Sequence, residues 1–247
     1  MKAMLLAAGL GTRLRPLTDD RPKALVEVAG HTLLEIALRR LRAAGVRQVM
    51  VNTHHHAEMI ADCLREHNNF GMDVSISHED LLLDTGGGLK KTAAFFLESG
   101  DEPFLMHNVD VISTIDLAEM VRRHTERDAL ATLAVKDRET SRYLLFDADG
   151  QLCGRRAGPV GELELVRPAT GVRALAFCGI HVISPGIFAK LEEEGAFPIV
   201  PAYLRMAAEG ERIFASDAGP AHWRDLGRPE SVRQAERDLE VGLWHIG

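Results

Sequence analysis

Gly9, Gly11, Arg13, Arg15 and Lys23, all near the head of the chain, are residue types that together hold a polyanion. They lie in Leu5-Leu6-Ala7-Ala8-Gly9-Leu10-Gly11-Thr12-Arg13-Leu14-Arg15-Pro16-Leu17-Thr18, closed by Pro22-Lys23. The apolar run from Ala3 to Ala8 predicts a buried parallel strand, apolar on both faces. Two residues without a Cβ then let the backbone turn sharply and bring its N–H groups close to a ligand. Exposed N–H groups at the carboxyl end of a strand form an anion cradle. Arginine adds bidentate phosphate contact and lysine a point charge. The chemistry expected is polyphosphate binding. Two known phosphate motifs are excluded: Leu14 stands where the dinucleotide fingerprint needs its third glycine, and no Gly-Lys-Ser/Thr is present.

Two acids stand at the ends of short apolar pieces. Asp110 follows Phe104-Leu105-Met106 and Asn108, and Asp225 lies in Trp223-Arg224-Asp225-Leu226-Gly227. A pair of carboxylates at strand ends can hold Mg²⁺, which takes a few carboxylates plus phosphate oxygens and waters. Either residue alone also reads as a helix cap or turn former. Asp84-Thr85-Gly86-Gly87-Gly88 precedes a helical stretch; its glycines imply either close approach of a flat group or a flexible helix start. Gly179-Ile180-His181 reads as a strand with a close approach or a bulge. The run His54-His55-His56 is expected to be structural, because its spacing matches no zinc site. None of the three cysteines sits in a glycine turn with a base in reach, so no thiol nucleophile is expected.

These residues need strand ends to position them. Strands are expected at Gln48–Asn52, Met72–Ser77, Phe104–Met106 and Ala129–Val135. Helices are expected at Leu33–Ala44 behind the N-cap Thr32, at Ala57–His67, at Leu89–Leu97 and at Leu117–His124. Alternation of this kind predicts an α/β fold with a Rossmann-like mixed, mostly parallel sheet flanked by helices. Beyond Tyr143 the pattern changes to a β-hairpin around Asp147-Ala148-Asp149-Gly150. The stretch 157–171 reads as loop, and helices over Pro198–Glu209 and Pro229–Val241 close the chain. One domain is expected over 1–247, in two halves at about 1–135 and about 136–247.

With 247 residues, 46% hydrophobic and 26% charged, the composition is that of an ordinary globular chain. A formal net charge of −7 makes nucleic acid an unexpected partner. Three widely spaced cysteines give no disulfide framework, so a cytoplasmic setting is expected. Neither a signal peptide nor a membrane-spanning stretch is read in the sequence.

The opening string resembles the signature of sugar-1-phosphate nucleotidylyltransferases, A-A-G-x-G-T-R-L-x-P-L-T followed by P-K and a leucine, and every element is present. The family also carries an Asp after a strand and a second in W-x-D-x-G, matched by Val109-Asp110 and Trp223–Gly227. Where the usual form of the first is Gly-Asp, this chain has Val109. The short form is similar to N-acetylmuramate-1-phosphate uridylyltransferases and mannose-1-phosphate guanylyltransferase-like proteins. The resemblance implies transfer of a nucleotidyl group to a sugar 1-phosphate, with release of pyrophosphate. Arg13, Lys23 and Asp110 are then the implied catalytic residues. Leu6, Ala8, Gly9, Gly11, Thr12, Arg13, Lys23, Glu79, Thr85, Gly86 and Gly87 are implied to bind the nucleotide, Asn108, Glu164 and Gly179 the sugar, and Asp110 and Asp225 Mg²⁺. The partners implied are a nucleoside triphosphate and a sugar 1-phosphate, with the chain monomeric or a homodimer. Two other readings stay open. One is cytidylyl transfer to a phospho-alcohol such as phosphocholine, which shares the opening signature. The other is a silent nucleotide-sugar-binding regulator, although Arg13, Lys23, Asp110 and Asp225 are all retained.

Overall fold

The structure, a computed structural model, describes residues 1–246. In chain order the elements are β1 (Lys2–Leu6), β2 (Glu27–Val28), β3 (His31–Thr32), α1 (Leu33–Ala43), β4 (Gln48–Thr53), α2 (Ala57–Glu66), β5 (Asp73–His78), α3 (Asp84–Lys91) and α4 (Ala93–Leu97). There follow β6 (Phe104–Asn108), β7 (Val111–Ser113), α5 (Leu117–Glu126), β8 (Ala131–Lys136), β9 (Arg142–Phe146), β10 (Leu152–Ala157), β11 (Leu163–Leu165) and β12 (Arg173–Ile183). The chain ends with α6 (Ile199–Ala208), β13 (Ile213–Asp217), β14 (Trp223–Asp225) and α7 (Pro229–Glu240). The fold is α/β with a mixed sheet flanked by helices, as the alternating pattern predicts.

Two compact units interleave along the chain. The first comprises 1–84, 106–116 and 221–247; the second comprises 85–105 and 117–220. The units therefore do not follow chain order, whereas the halves read from the sequence, about 1–135 and 136–247, do.

In the first unit β1 lies between β4 and β6, and β4 between β1 and β5. The β1–β4 and β4–β5 pairs are parallel, with Leu6 opposite Asn52 and Asn52 opposite Ser77. Parallel strands are covered on both faces and so read as continuous apolar runs. Ala3, Met4, Leu5, Val49 and Val51 are completely buried. Helix α1 starts where predicted, with the Thr32 hydroxyl accepting the Glu35 N–H at 3.1 Å. Its apolar stripe of Leu34, Ala37, Leu38 and Leu41 is buried.

The second unit is built largely on antiparallel pairing. Strand β12 pairs with β9 over one part and with β8 over another, and β9, β10 and β11 form a ribbon. Only β13 joins β8 in parallel. Three readings change here. Residues 157–171 contain a short strand, β11, whose side chains are exposed, so the hydrophobic pattern that marks a buried strand is missing. The helix expected at Leu89–Leu97 begins at Asp84, runs through all three glycines and breaks at Thr92 into α3 and α4. Pro185 with Gly195 after it reads as the start and end of a helix, but the structure has only a short 3₁₀ turn ending at Ala189. Among the described residues no helix is long and apolar enough to cross a membrane.

Three histidines, His107, His124 and His181, are buried. His124 bonds Thr132 Oγ1 and Ser184 Oγ, each at 2.9 Å. Because Ser184 donates to the Ala129 carbonyl, the His124 Nε2–H donates to Ser184, and Nδ1 accepts from Thr132. Burial pushes its imidazole down to about 4. Burial also pushes His107 down to about 4, and the Arg40 cation adds to it. Both values lie below the ordinary ~6.5, so the unfolded chain takes up protons that the fold refuses. This stability is fully present above pH ~6.5 and is lost as pH falls towards ~4. Urea unfolding is expected to show a steep loss across that window, reduced in His107→Gln and His124→Gln; an unchanged slope in both variants would refute the assignment.

A candidate phosphate and metal site at the strand ends

The loop after β1 is shaped by its own side chains. Gly11 takes φ +65°, a left-handed conformation that L side chains rarely adopt. A Cβ there would lie 3.0 Å from Thr18 Cγ2 and 3.2 Å from Lys23 Cβ. Thr18 donates its hydroxyl to the Gly11 carbonyl at 2.9 Å, which fixes the turn. The tightness at Gly11 therefore brings the loop against the stem of Lys23. Gly9, Leu10, Thr12, Arg13 and Arg15 stay exposed, while Leu6 is half-buried and Ala8 buried.

Lys23 and Asp110 form an ion pair, their side chains 15% and 7% exposed. The two are far apart in sequence and meet because β1 and β6 lie side by side: Val109 donates its N–H to the Leu6 carbonyl at 3.1 Å. Asp225 arrives by a different route. Strand β14 pairs antiparallel with β7, placing Asp225 opposite Val111, and Leu226 donates to the Asp110 carbonyl at 2.8 Å. Arg13 completes the group. A Cβ added at Gly227 would lie 2.7 Å from Asp225 Oδ1 and 3.0 Å from Arg13 Nη2. Asp225 Oδ1 also accepts the Gly227 N–H at 2.9 Å. The first unit thus gathers two cations and two carboxylates at the ends of β1, β6 and β14.

Support comes from behind. Arg40 on α1 donates to the Ile115 carbonyl, and burial lowers its guanidinium to about 10, still charged at neutral pH. His107 Nδ1 bonds the Asn108 carbonyl at 2.7 Å. The segment Asn108–Ile115, which carries Asp110, is therefore held at both ends by buried polar groups. Neither Arg40 nor His107 stands out in sequence: Arg40 is one of three arginines among residues 39–42, and His107 is one polar residue after an apolar run.

Other expected residues fall elsewhere. Glu79 is 1% exposed, with both carboxylate oxygens engaged by the protein itself: Asn52 Nδ2 donates to one at 2.8 Å and the Leu83 N–H to the other at 2.9 Å. In the second unit, Gly86 and Gly87 donate their N–H groups to the Phe197 carbonyl at 2.9 and 3.2 Å, and Thr85 Oγ1 accepts the Ile199 N–H. The flat group that approaches Gly86 is the Phe197 ring, 2.2 Å from where a Cβ would stand. The N–H groups of Gly86 and Gly87, the two glycines of this run implied to bind the nucleotide, are already bonded within the protein. Gly179 is buried at φ +74°, inside a register shift between β12 and β8, which is the bulge alternative. Glu164 is exposed and paired with Arg155 at 2.6 Å. The histidine run has structural partners: His54 Nδ1 bonds the Glu79 carbonyl at 2.8 Å, and the His55 and His56 rings meet tilted at 50° with centroids 3.8 Å apart. Among the described residues no group of three His, Cys, Asp or Glu side chains could hold a metal ion. Asp110 and Asp225 offer only two carboxylates, which fits an ion that completes its shell with phosphate oxygens and water.

Residues 2–241 match the model of the family described as nucleotidyl transferase, and the chain belongs to that family. It is 35% identical over 246 residues to an N-acetylmuramate alpha-1-phosphate uridylyltransferase of Caulobacter vibrioides, covering 96% of each chain. It is 32% identical over 239 residues to the mannose-1-phosphate guanylyltransferase catalytic subunit beta of Drosophila pseudoobscura pseudoobscura, covering 93% of this chain and 60% of that one. Among solved structures it resembles HddC from Yersinia pseudotuberculosis, with a TM-score of 0.77 at 20% identity over 96% of this chain and 99% of that one.

Gly86→Ala would force its methyl into Phe197, an overpacking cost of about 2 kcal/mol. Thermal unfolding is expected to drop by several degrees without nucleotide present. An unchanged melting point would show that the glycine serves something other than this contact.

Proposed function

We propose that this chain joins a nucleoside triphosphate to a sugar 1-phosphate, giving a nucleoside diphosphate sugar and pyrophosphate. The observation that carries the reading is the convergence of Lys23, Asp110, Asp225 and Arg13 in one unit beside the glycine loop. A phosphate oxygen of the sugar 1-phosphate attacks the α-phosphorus and forms a new O–P bond. The bond from that phosphorus to the oxygen bridging the β-phosphate breaks, and pyrophosphate leaves with the electron pair. The attacking group is already an anion, so no general base or covalent intermediate is needed. Catalysis reduces to alignment and charge neutralisation.

In this reading the Gly9–Thr12 backbone, Arg13 and Arg15 hold the triphosphate, and Lys23 neutralises the α-phosphate. Leu6 and Ala8 border the nucleoside with main-chain groups. Asn108, at the end of β6, takes sugar hydroxyls. Glu79 shapes the nucleotide site from beneath, since both its oxygens are spent on protein donors. Asp110 and Asp225 would hold Mg²⁺, which supplies positive charge to the phosphates undergoing transfer when bound. The favoured pair is UTP with N-acetylmuramate 1-phosphate, supported by the 35% identical uridylyltransferase that matches over 96% of both chains. A cytoplasmic setting belongs to the same reading.

The test is a pyrophosphate-release screen crossing four nucleoside triphosphates with N-acetylmuramate 1-phosphate, mannose 1-phosphate and phosphocholine, with and without Mg²⁺. Release is expected to be greatest for UTP with N-acetylmuramate 1-phosphate and to require the divalent ion. No release from any pair, alongside measurable triphosphate binding, would favour the silent regulator. Lys23→Ala is expected to cut turnover by about 10²–10³-fold, the scale of removing one charge-stabilising group. Full turnover in that variant would remove Lys23 from the mechanism. Asp225→Asn is expected to raise the Mg²⁺ concentration needed for half-maximal rate; an unchanged requirement would take Asp225 out of the metal site.

A further inference from the structure

Asn52 stands at the end of β4, opposite Leu6 of β1 and Ser77 of β5, and its side chain does unusual duty. Its Oδ1 accepts the Ala7 N–H at 2.8 Å, and its Nδ2 donates to Glu79 Oε1 at 2.8 Å. Glu79 Oε2 accepts the Leu83 N–H at 2.9 Å. The main chain of Glu79 is fixed as well: its N–H donates to the Thr53 carbonyl, and its carbonyl accepts from His54 Nδ1, both at 2.8 Å. Asn52 is 3% exposed and Glu79 1%. Neither Glu79 oxygen has a cationic partner among the described residues, so this buried carboxylate is held by neutral donors alone. Such a network is retained only when every member is satisfied.

The relay joins two functional stretches. Ala7 is the first residue beyond β1 and opens the glycine loop. Leu83 closes a segment whose Leu81 is 78% exposed and Leu82 40% exposed, so the side chains there do not anchor it. Its anchors are Glu79 and the Leu83 N–H. Beyond the strand pairing and the main-chain bonds of Glu79, the phosphate-holding loop is tied to the segment 79–84 by one carboxamide and one carboxylate.

We propose that Asn52 is a positioning residue for the nucleotide, acting through Glu79 to fix the glycine loop against the segment 79–84 without touching ligand. The proposal rests on the reading of this site as a nucleotide site and goes beyond it. Removing the carboxamide leaves the buried Ala7 N–H and one carboxylate oxygen without a partner. The glycine loop then shifts, while Asp110 and Asp225, held by β6, β7 and β14, do not. The consequence is selective: triphosphate binding weakens and sugar-phosphate recognition persists.

The test compares wild type, Asn52→Ala and Asn52→Asp, using UTP binding by calorimetry and steady-state KM for both substrates in the pyrophosphate assay. Asn52→Ala is expected to raise the Kd and KM for UTP by about tenfold, the scale of a lost buried hydrogen bond. The KM for the sugar 1-phosphate should stay within about twofold. Asn52→Asp sets a second carboxylate against Glu79, so the pair must share a proton to keep the hydrogen bond. Its UTP affinity should recover towards wild type as pH falls from about 8 to about 5.5, and that of Asn52→Ala should not. His54, the titratable neighbour on the Glu79 carbonyl, is present in both variants, so their difference isolates the carboxyl pair. Wild-type UTP binding in Asn52→Ala, an equal rise in both KM values, or identical pH profiles in the two variants would each overturn the relay. A wild-type protein that binds no triphosphate would overturn the nucleotide reading and the relay together. If Asn52→Ala does not fold, the acid recovery of Asn52→Asp decides alone.

Discussion

A buried charge is tolerated where a counter-charge or a set of hydrogen-bond donors is fixed against it, and the ion pair between Lys23 and Asp110 is the point on which this site turns. Each residue is largely withdrawn from water. Breaking such a pair by removing one member costs more than the pair itself contributes, because the survivor is left uncompensated. The arrangement nevertheless suits a polyanion. In the proposed reaction a lysine already withdrawn from water and held in place loses little freedom in acting on a phosphate, and its contact with Asp110 is made through Oδ2. The glycine turn at Gly11 exists in service of this pair, since only a residue without a Cβ lets the loop press against the Lys23 stem.

The carboxylates are held with equal care. Asp110 lies between the Arg40 and His107 contacts on one side and the Leu226 N–H on the other. Strand β14, which brings Asp225, is itself fixed to α7 where Arg224 bonds Asp238 at 2.6 Å. Asp238 is in turn bonded by Gln234 at 2.9 Å. In the proposed reaction the groups assigned to the developing charge are thus fixed by the protein itself, which is the condition for electrostatic preorganisation. Of the supporting residues, His107 and Asp238 are buried and Arg40, Arg224 and Gln234 half-buried.

Much of this was legible beforehand. The strand and helix pattern of the first 80 residues follows from apolar periodicity and from one cap, Thr32, because local sequence decides local structure wherever packing agrees with it. The four charged residues were legible through their motifs. The glycine run was legible only as alternatives. Its sequence suggests close approach of a flat group or a flexible helix start; all three glycines lie in α3, and the Phe197 carbonyl and ring occupy the space that a side chain at Gly86 would fill. The exposed strand β11 was unreadable for the opposite reason: pairing with β10 alone maintains it, and pairing leaves no periodic trace in an exposed sequence.

By itself the sequence determined the α/β class, the glycine turn with its cations, and the two aspartates as candidates, since these rest on residue type and short-range spacing. Only the tertiary structure decided that Asp110 and Asp225 share one end of one unit, that Lys23 reaches the first of them, and that Glu79 is spent on Asn52 and Leu83. Those facts depend on which strands lie side by side. Strand pairing is settled by burial of whole faces and by satisfaction of every enclosed polar group, not by any residue's immediate neighbours in the chain.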